Sequence, residues 1–212
     1  MVRLVLIHIE GGGPTRKTQT RLREGFDSFC RALKELAERR GVRLRFNLAG
    51  SREQACQDFQ TALQTHADAW NVLLVDSESE VTINPRAHLE QRDGWDLSKP
   101  EEGQIHLMAQ CMEAWLVSDP EALGLYYGQR FNVSALPTRQ NLEEEPKTQI
   151  YAALEAATRQ TQKGAYAKIK HASELLKRVS REKAKARCPH CRRFFETVAG
   201  TIQADGQTTE DG

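Results

Sequence analysis

The sequence has no apolar run long enough to cross a membrane. Its N-terminal run extends only from Leu4 to Ile9, well short of the ~20 residues a spanning helix needs, and nothing resembles a signal peptide. The expectation is a cytoplasmic protein with no membrane partner. A disulfide framework is also missing, because Cys30, Cys56, Cys111, Cys188 and Cys191 are odd in number and irregularly spaced. Net charge is nearly absent, at +1, so the overall balance points to no partner. There is no internal repeat.

Two nucleotide motifs are absent as well. The stretch Gly11-Gly12-Gly13-Pro14-Thr15-Arg16-Lys17-Thr18 has the outline of a phosphate loop, G-x-x-x-x-G-K-[ST]. Arg16 stands where that loop needs glycine, and Pro14 removes an N–H from the cradle. The dinucleotide fingerprint G-x-G-x-x-G has no match here.

What is present is an ordinary globular composition. The chain has 212 residues, 39% hydrophobic and 28% charged, enough for one domain with a real core. Val2–Ile9 is an apolar strand. Leu22, Phe26, Phe29, Leu33 and Leu36 form one helical stripe, closed by Gly41. Val42–Ala49 alternates as a strand, Ser51 and Gln54 cap a second helix, and Asn71–Val75 is a third strand that runs into Asp76. The order β-α-β-α-β predicts a parallel sheet covered by helices. In such sheets functional groups gather beyond the carboxyl ends of the strands, here Glu10 and Asp76.

A short helix is expected near Arg86–Arg92, and Gln104–Val117 is a strand, a helix or one running into the other. Asp119 and Pro120 start a helix that reaches Tyr127. Further helices are expected over Thr148–Thr161, His171–Val179 and Pro189–Val198, with residues 200–212 a disordered tail.

Asp76, Glu78 and Glu80 lie at spacing two, so in extended geometry they point the same way, with Glu10 beside them if its strand is a neighbour. Carboxylates ~4 Å apart repel by ~4 kcal/mol at an effective dielectric of ~20, so such a cluster needs protons or a divalent cation. Mg²⁺ matches an all-oxygen set; the alternative is solvated loop acids. Glu113 sits inside an apolar segment and is either a further ligand or a solvent-facing position. From Arg159 to Arg193 twelve basic residues face two acids, Glu174 and Glu182, which suits either a solvated helix face or a polyanion contact. Cys188-Pro189-His190-Cys191 has the C-x-x-C form, with coincidence, zinc and redox chemistry all open.

A strand ending in Glu-Gly and a later strand ending in Asp-x-Glu resemble the Toprim signature shared by topoisomerases, bacterial primases and OLD-family nucleases. More broadly, "IEGGG", "REGF", "LLVDSE", "HLMAQCMEAWLVSDPEAL", "ALP", "KGAYAK" and "RRFFETV" resemble a family of uncharacterised Toprim-like bacterial proteins of unknown function. Members are often encoded beside ABC- or SMC-type ATPases in phage-defence loci. The resemblance implies an α/β fold: a Toprim-like, mostly parallel sheet over 1–120, a helical basic part over 121–199 and the tail. It implies Glu10 as general acid/base or metal ligand, and Asp76 and Glu78 as the acidic pair. Glu78 replaces the more usual second Asp, which leaves second-metal geometry open.

The resemblance also implies a Mg²⁺ (or Mn²⁺) nuclease acting on DNA or RNA as an ATPase-coupled defence effector. Lys163 or Lys168 would serve the scissile phosphate. Lys168, Lys170, His171, Lys177 and Arg178 would track the nucleic-acid backbone, and self-association is compatible with this scheme. The rival expectations are a non-catalytic subunit that regulates a partner ATPase and, beyond it, nucleotidyl transfer.

Overall fold

A computed structural model describes residues 2–204. Strand β1 (Leu4–Gly12) leads through the glycines into α1 (Arg16–Phe29), whose first turn is capped by the Thr15 hydroxyl. The apolar stripe predicted as one helix is two, α1 and α2 (Arg31–Arg39), hinged at Cys30. Apolar spacing of three and four continues across the hinge, so periodicity alone does not register the bend. Strand β2 (Arg43–Gly50) follows, then α3 (Arg52–Thr65), capped by Ser51 as expected, and β3 (Trp70–Asp76). Helix α4 is Pro85–Asp93 and strand β4 is Ile105–Met108.

The ambiguous apolar segment is therefore strand into helix, with α5 at Glu113–Val117. Helix α6 (Pro120–Tyr127) carries Asp119 as its cap, and α7 is Lys147–Thr158. Helix α8 is Lys168–Leu176, α9 is Arg181–Arg187 and α10 is Pro189–Ala204. Thus Thr201–Ala204, expected in the tail, continue a helix whose apolar face reaches buried Ile202, while 205–212 lie outside the described residues. No helix among the described residues is long and apolar enough to cross a membrane.

The four strands are all parallel, in the order β2-β1-β3-β4. The chain steps from β1 outward to β2, then crosses back over β1 to reach β3. Crossovers of one hand running in opposite directions place their helices on opposite faces. Accordingly Val5, Ile7, Ile9, Val72 and Leu74 pack with α1, α2 and the C-terminal helices, while Leu73, Val75, Ile105 and Leu107 pack with α3 and Leu89 of α4. The first core continues through Trp115, which stacks on Phe29 at 5.7 Å and Phe194 at 6.3 Å. The strand order reverses between β1 and β3, where an open α/β sheet forms its crevice.

Helices α1 and α8 approach closely at Gly25. A Cβ there would meet the Cα and carbonyl oxygen of Ser173, each at 3.0 Å. Backbone has to shift to admit it. Gly25→Ala should lower unfolding stability by about 1–3 kcal/mol despite alanine's better helix propensity. A denaturant midpoint equal to or above that of the wild type would show that the helix pair is looser than described.

Candidate metal centre

Glu10, Asp76 and Glu78 each bring a carboxylate oxygen to one place, all within 4.8 Å of one another. Neighbouring parallel strands put Glu10 beside Asp76, since Ile9 is level with Leu74. Glu10 does not end its strand: β1 continues to Gly12 across a register shift, and there a Cβ would lie 2.7 Å from the Gln19 Cα. The glycines thus let α1 close down on the strand end. Glu78 arrives differently from the extended spacing expected. The strand stops at Asp76, Glu78 is left-handed at φ 66°, and its N–H donates to the Gln110 carbonyl. Glu80 is exposed and outside the set.

Asp76 has no exposed side-chain surface. Its Oδ1 accepts from the Met112 N–H at 2.8 Å, and its Oδ2 faces Lys168 Nζ at 3.2 Å and Lys147 Nζ at 3.5 Å. Lys147 also donates to Glu78 at 2.5 Å. Glu10 accepts from the Asp76 N–H at 3.3 Å and from Arg52 at 3.4 Å, while Arg52 is clamped by Asp93. Burial, and then the Asp76 charge, push the Glu10 carboxyl up to about 7. Burial alone would lower Lys168, but Asp76 and Glu113 overcome it and hold the ammonium far above its ordinary range.

Glu113 is neither solvent-facing nor one of the three clustered acids. It is fully buried, accepts from the Tyr166 hydroxyl at 2.8 Å and sits 3.6 Å from Lys168 through Oε2, which has no hydrogen-bond partner. Of the two candidate lysines only Lys168 reaches the carboxylates. Lys163 is exposed, its Nζ 4.9 Å from the Tyr126 ring centroid, because the loop before α8 turns outward.

The basic C-terminal stretch is largely spent within the protein. Lys177 pairs with Glu24 and Glu174, Arg178 with Glu174, and Lys183 with Asp119 and Glu121. His171 is buried against Tyr127 and is not a surface contact. Its i+4 neighbour Leu175 marks the apolar face of α8. Lys170 remains exposed.

Cys188 and Cys191 are free and buried, and burial pushes both thiols up, the opposite of a reactive redox pair. Among the described residues only Glu10, Asp76 and Glu78 form a set of three that could hold a metal ion. Sequence reasoning missed Arg52, Lys147 and Tyr166. Arg52 carried a usable signal, a cation immediately after the carboxyl end of β2; a single lysine after an acidic connection carried none.

The donor set is all oxygen and mutually repulsive, which suits a hard cation. Without one, the raised Glu10 carboxyl makes the native state bind more protons than the unfolded chain. Its contribution to stability therefore falls as pH rises from 4.5 to about 7 and stays at its minimum above that. Glu10→Gln in chelator should raise unfolding stability at pH 8 by about 1–3 kcal/mol and change little at pH 4. Equal effects at both pH values, read from denaturant curves, would contradict this reading.

No curated protein and no solved structure matches the chain. A family model described as a domain of unknown function, DUF4276, matches residues 9–199. That span holds the three carboxylates, both lysines that face them and every helix that encloses them, and the chain belongs to the DUF4276 family.

Proposed function

We propose that the protein is a Mg²⁺-dependent nuclease of Toprim type, with Mn²⁺ able to substitute, that cleaves DNA or RNA. One observation carries the reading: three carboxylates converge at the strand-order reversal with two lysine ammoniums against them. Glu10, Asp76 and Glu78 would hold the ion. When bound, it supplies Lewis-acid polarisation of a phosphate oxygen and a water of lowered pKa.

The rest falls to the protein's own groups. Lys168 keeps its proton at Nζ and places positive charge where a phosphate oxygen gains negative charge in the transition state. Glu113, held by the Tyr166 hydroxyl, positions that ammonium. Glu10, raised to about 7 in the cation-free cluster by burial and the Asp76 charge, would give up its proton to hold the ion. Arg52 orients Glu10. The Toprim and OLD relation, the ATPase partner and the role as a defence effector rest on the sequence resemblance.

A second reading is a Toprim-like subunit that binds and regulates an ATPase without chemistry of its own. It is favoured by the way Lys147 and Lys168 already compensate the acids without a cation.

Cleavage of labelled DNA and RNA with Mn²⁺ or Mg²⁺ separates the two. Asp76→Asn and Glu10→Gln keep the side-chain shapes and should abolish cleavage, and Lys168→Met should slow it roughly 10²–10³-fold. Full activity in Asp76→Asn would refute the mechanism. A wild-type protein that is inert with both metals, with and without its ATPase, yet alters the ATPase rate would establish the second reading.

A further inference from the structure

The basic residues after the glycine turn do not fit the nucleotide-loop motif, and the carboxylate site does not use them. They nevertheless lie beside it. Helices α1 and α8 run parallel: Thr18 and Ile169 line one cleft, the Ser173 hydroxyl donates to the Arg21 carbonyl, Gly25 lies against Ser173, and the Ser28 hydroxyl donates to the Lys177 carbonyl at 3.5 Å. Both helices therefore begin at the same end, next to the carboxylates. Gly12, Thr18, Arg21, Lys168 and Ile169 line one small cleft there. A Cβ at Gly13 would sit 3.0 Å from Ile169 Cδ1, so the glycine turn and the start of α8 touch.

On α1, Lys17, Arg21 and Glu24 follow one another at spacings of four and three and share a flank. Lys170 of α8 and Lys177, which caps its C-terminal end in helical geometry, lie two turns apart on a common flank. The Glu24–Lys177 ion pair, at 3.2 Å, shows that these flanks form a single face. At its far end the cations are neutralised by Glu24 and Glu174. At the end nearest the carboxylates they are not. Arg21 shares the cleft with Lys168. Lys17, Arg21, Lys163 and Lys170 are exposed and, among the described residues, form no ion pair, while the Lys163 ammonium turns to the Tyr126 ring, 4.9 Å from its centroid. Lys170 reaches the Lys163 carbonyl at 3.4 Å, which places those two side by side. Ile169 stands at the lip of this face, 51% exposed.

We infer that the face carrying Lys17, Arg21, Lys163 and Lys170 binds the phosphodiester backbone of a nucleic-acid strand and leads it to the carboxylates. The inference rests on the nuclease reading for the class of ligand. It keeps Lys170 of the expected set, leaves out buried His171 and the paired Lys177 and Arg178, and adds Lys17 and Arg21 of α1 and Lys163 before α8. Four unpaired cations beside an acidic centre complement a polyanion: the strand is held by its phosphates, and one of them meets Lys168.

The test uses fluorescence anisotropy of labelled single-stranded DNA, single-stranded RNA and duplex DNA with the full chain in chelator, so that binding is read without cleavage. Four phosphate contacts predict a slope of log K against log salt of about −3 for single strands. The double variant Lys17→Gln/Arg21→Gln should weaken binding roughly 50-fold or more at low salt and reduce the slope by about 1.5. The control Arg43→Gln/Arg45→Gln removes the same charge from exposed positions of β2 and should leave affinity within about twofold.

Equal losses in both double variants, no loss in the first, or no binding of any nucleic acid by the wild type would overturn the inference. An acidic protein bound in place of nucleic acid would do so too. Cleavage is scored separately with Mn²⁺. A protein that binds through Lys17 and Arg21 but never cleaves keeps this face and loses the nuclease reading. One that cleaves with both double variants unaltered does the reverse.

Discussion

Asp76 is a carboxylate with no access to water, and much of the molecule is arranged to satisfy it. Its three partners arrive from separate places: the Met112 N–H just before α5 and Lys168 at the start of α8 donate to it, and Lys147 at the start of α7 forms an ion pair with it. Each is a C-terminal element anchored to the carboxyl edge of the sheet through one side chain. A buried ion pair offsets its own desolvation only with good geometry and full partnering, and losing one member leaves an uncompensated charge. The basic C-terminal part is thus attached to the sheet electrostatically at the site, as well as through the shared core around Trp115.

The same arrangement trades stability for chemistry. Burial and mutual repulsion raise the Glu10 carboxyl, so the cluster works against the fold at neutral pH. Lys147 and Lys168 relieve part of that repulsion while remaining protonated. A cation held by the acids would relieve more of it and leave the ammoniums to face an anionic ligand. Local destabilisation at a strand-order reversal is where a functional group is expected to override folding preference.

The sheet was legible because β1 and β3, largely buried on both faces, read as short apolar runs, while the edge strand β2 reads as an alternation. Glu10 and Asp76 were read as strand ends that meet if their strands are neighbours; β1 and β3 are neighbours, although β1 runs on past Glu10 to Gly12. Glu78 was found for the wrong reason, since alternation predicted its direction and a left-handed turn delivers it. His171 and Lys177 show the limit of counting charge along a segment. A helix distributes its residues over faces, and here one face is core and part of another is paired with Glu24 and Glu174. Lys147 was illegible because its partner Asp76 is distant in sequence and no local pattern links them.

The central claim is that the edge of this sheet is a cation site built on Asp76. Mn²⁺ titration of the full chain, followed by the paramagnetic resonance of free Mn²⁺, tests it without assuming any substrate. The account predicts saturable binding at millimolar Mn²⁺ or below, stronger at pH 8 than at pH 6 as Glu10 loses its proton, and lost in Asp76→Asn. A wild-type protein that leaves the free Mn²⁺ signal unchanged at both pH values would contradict it.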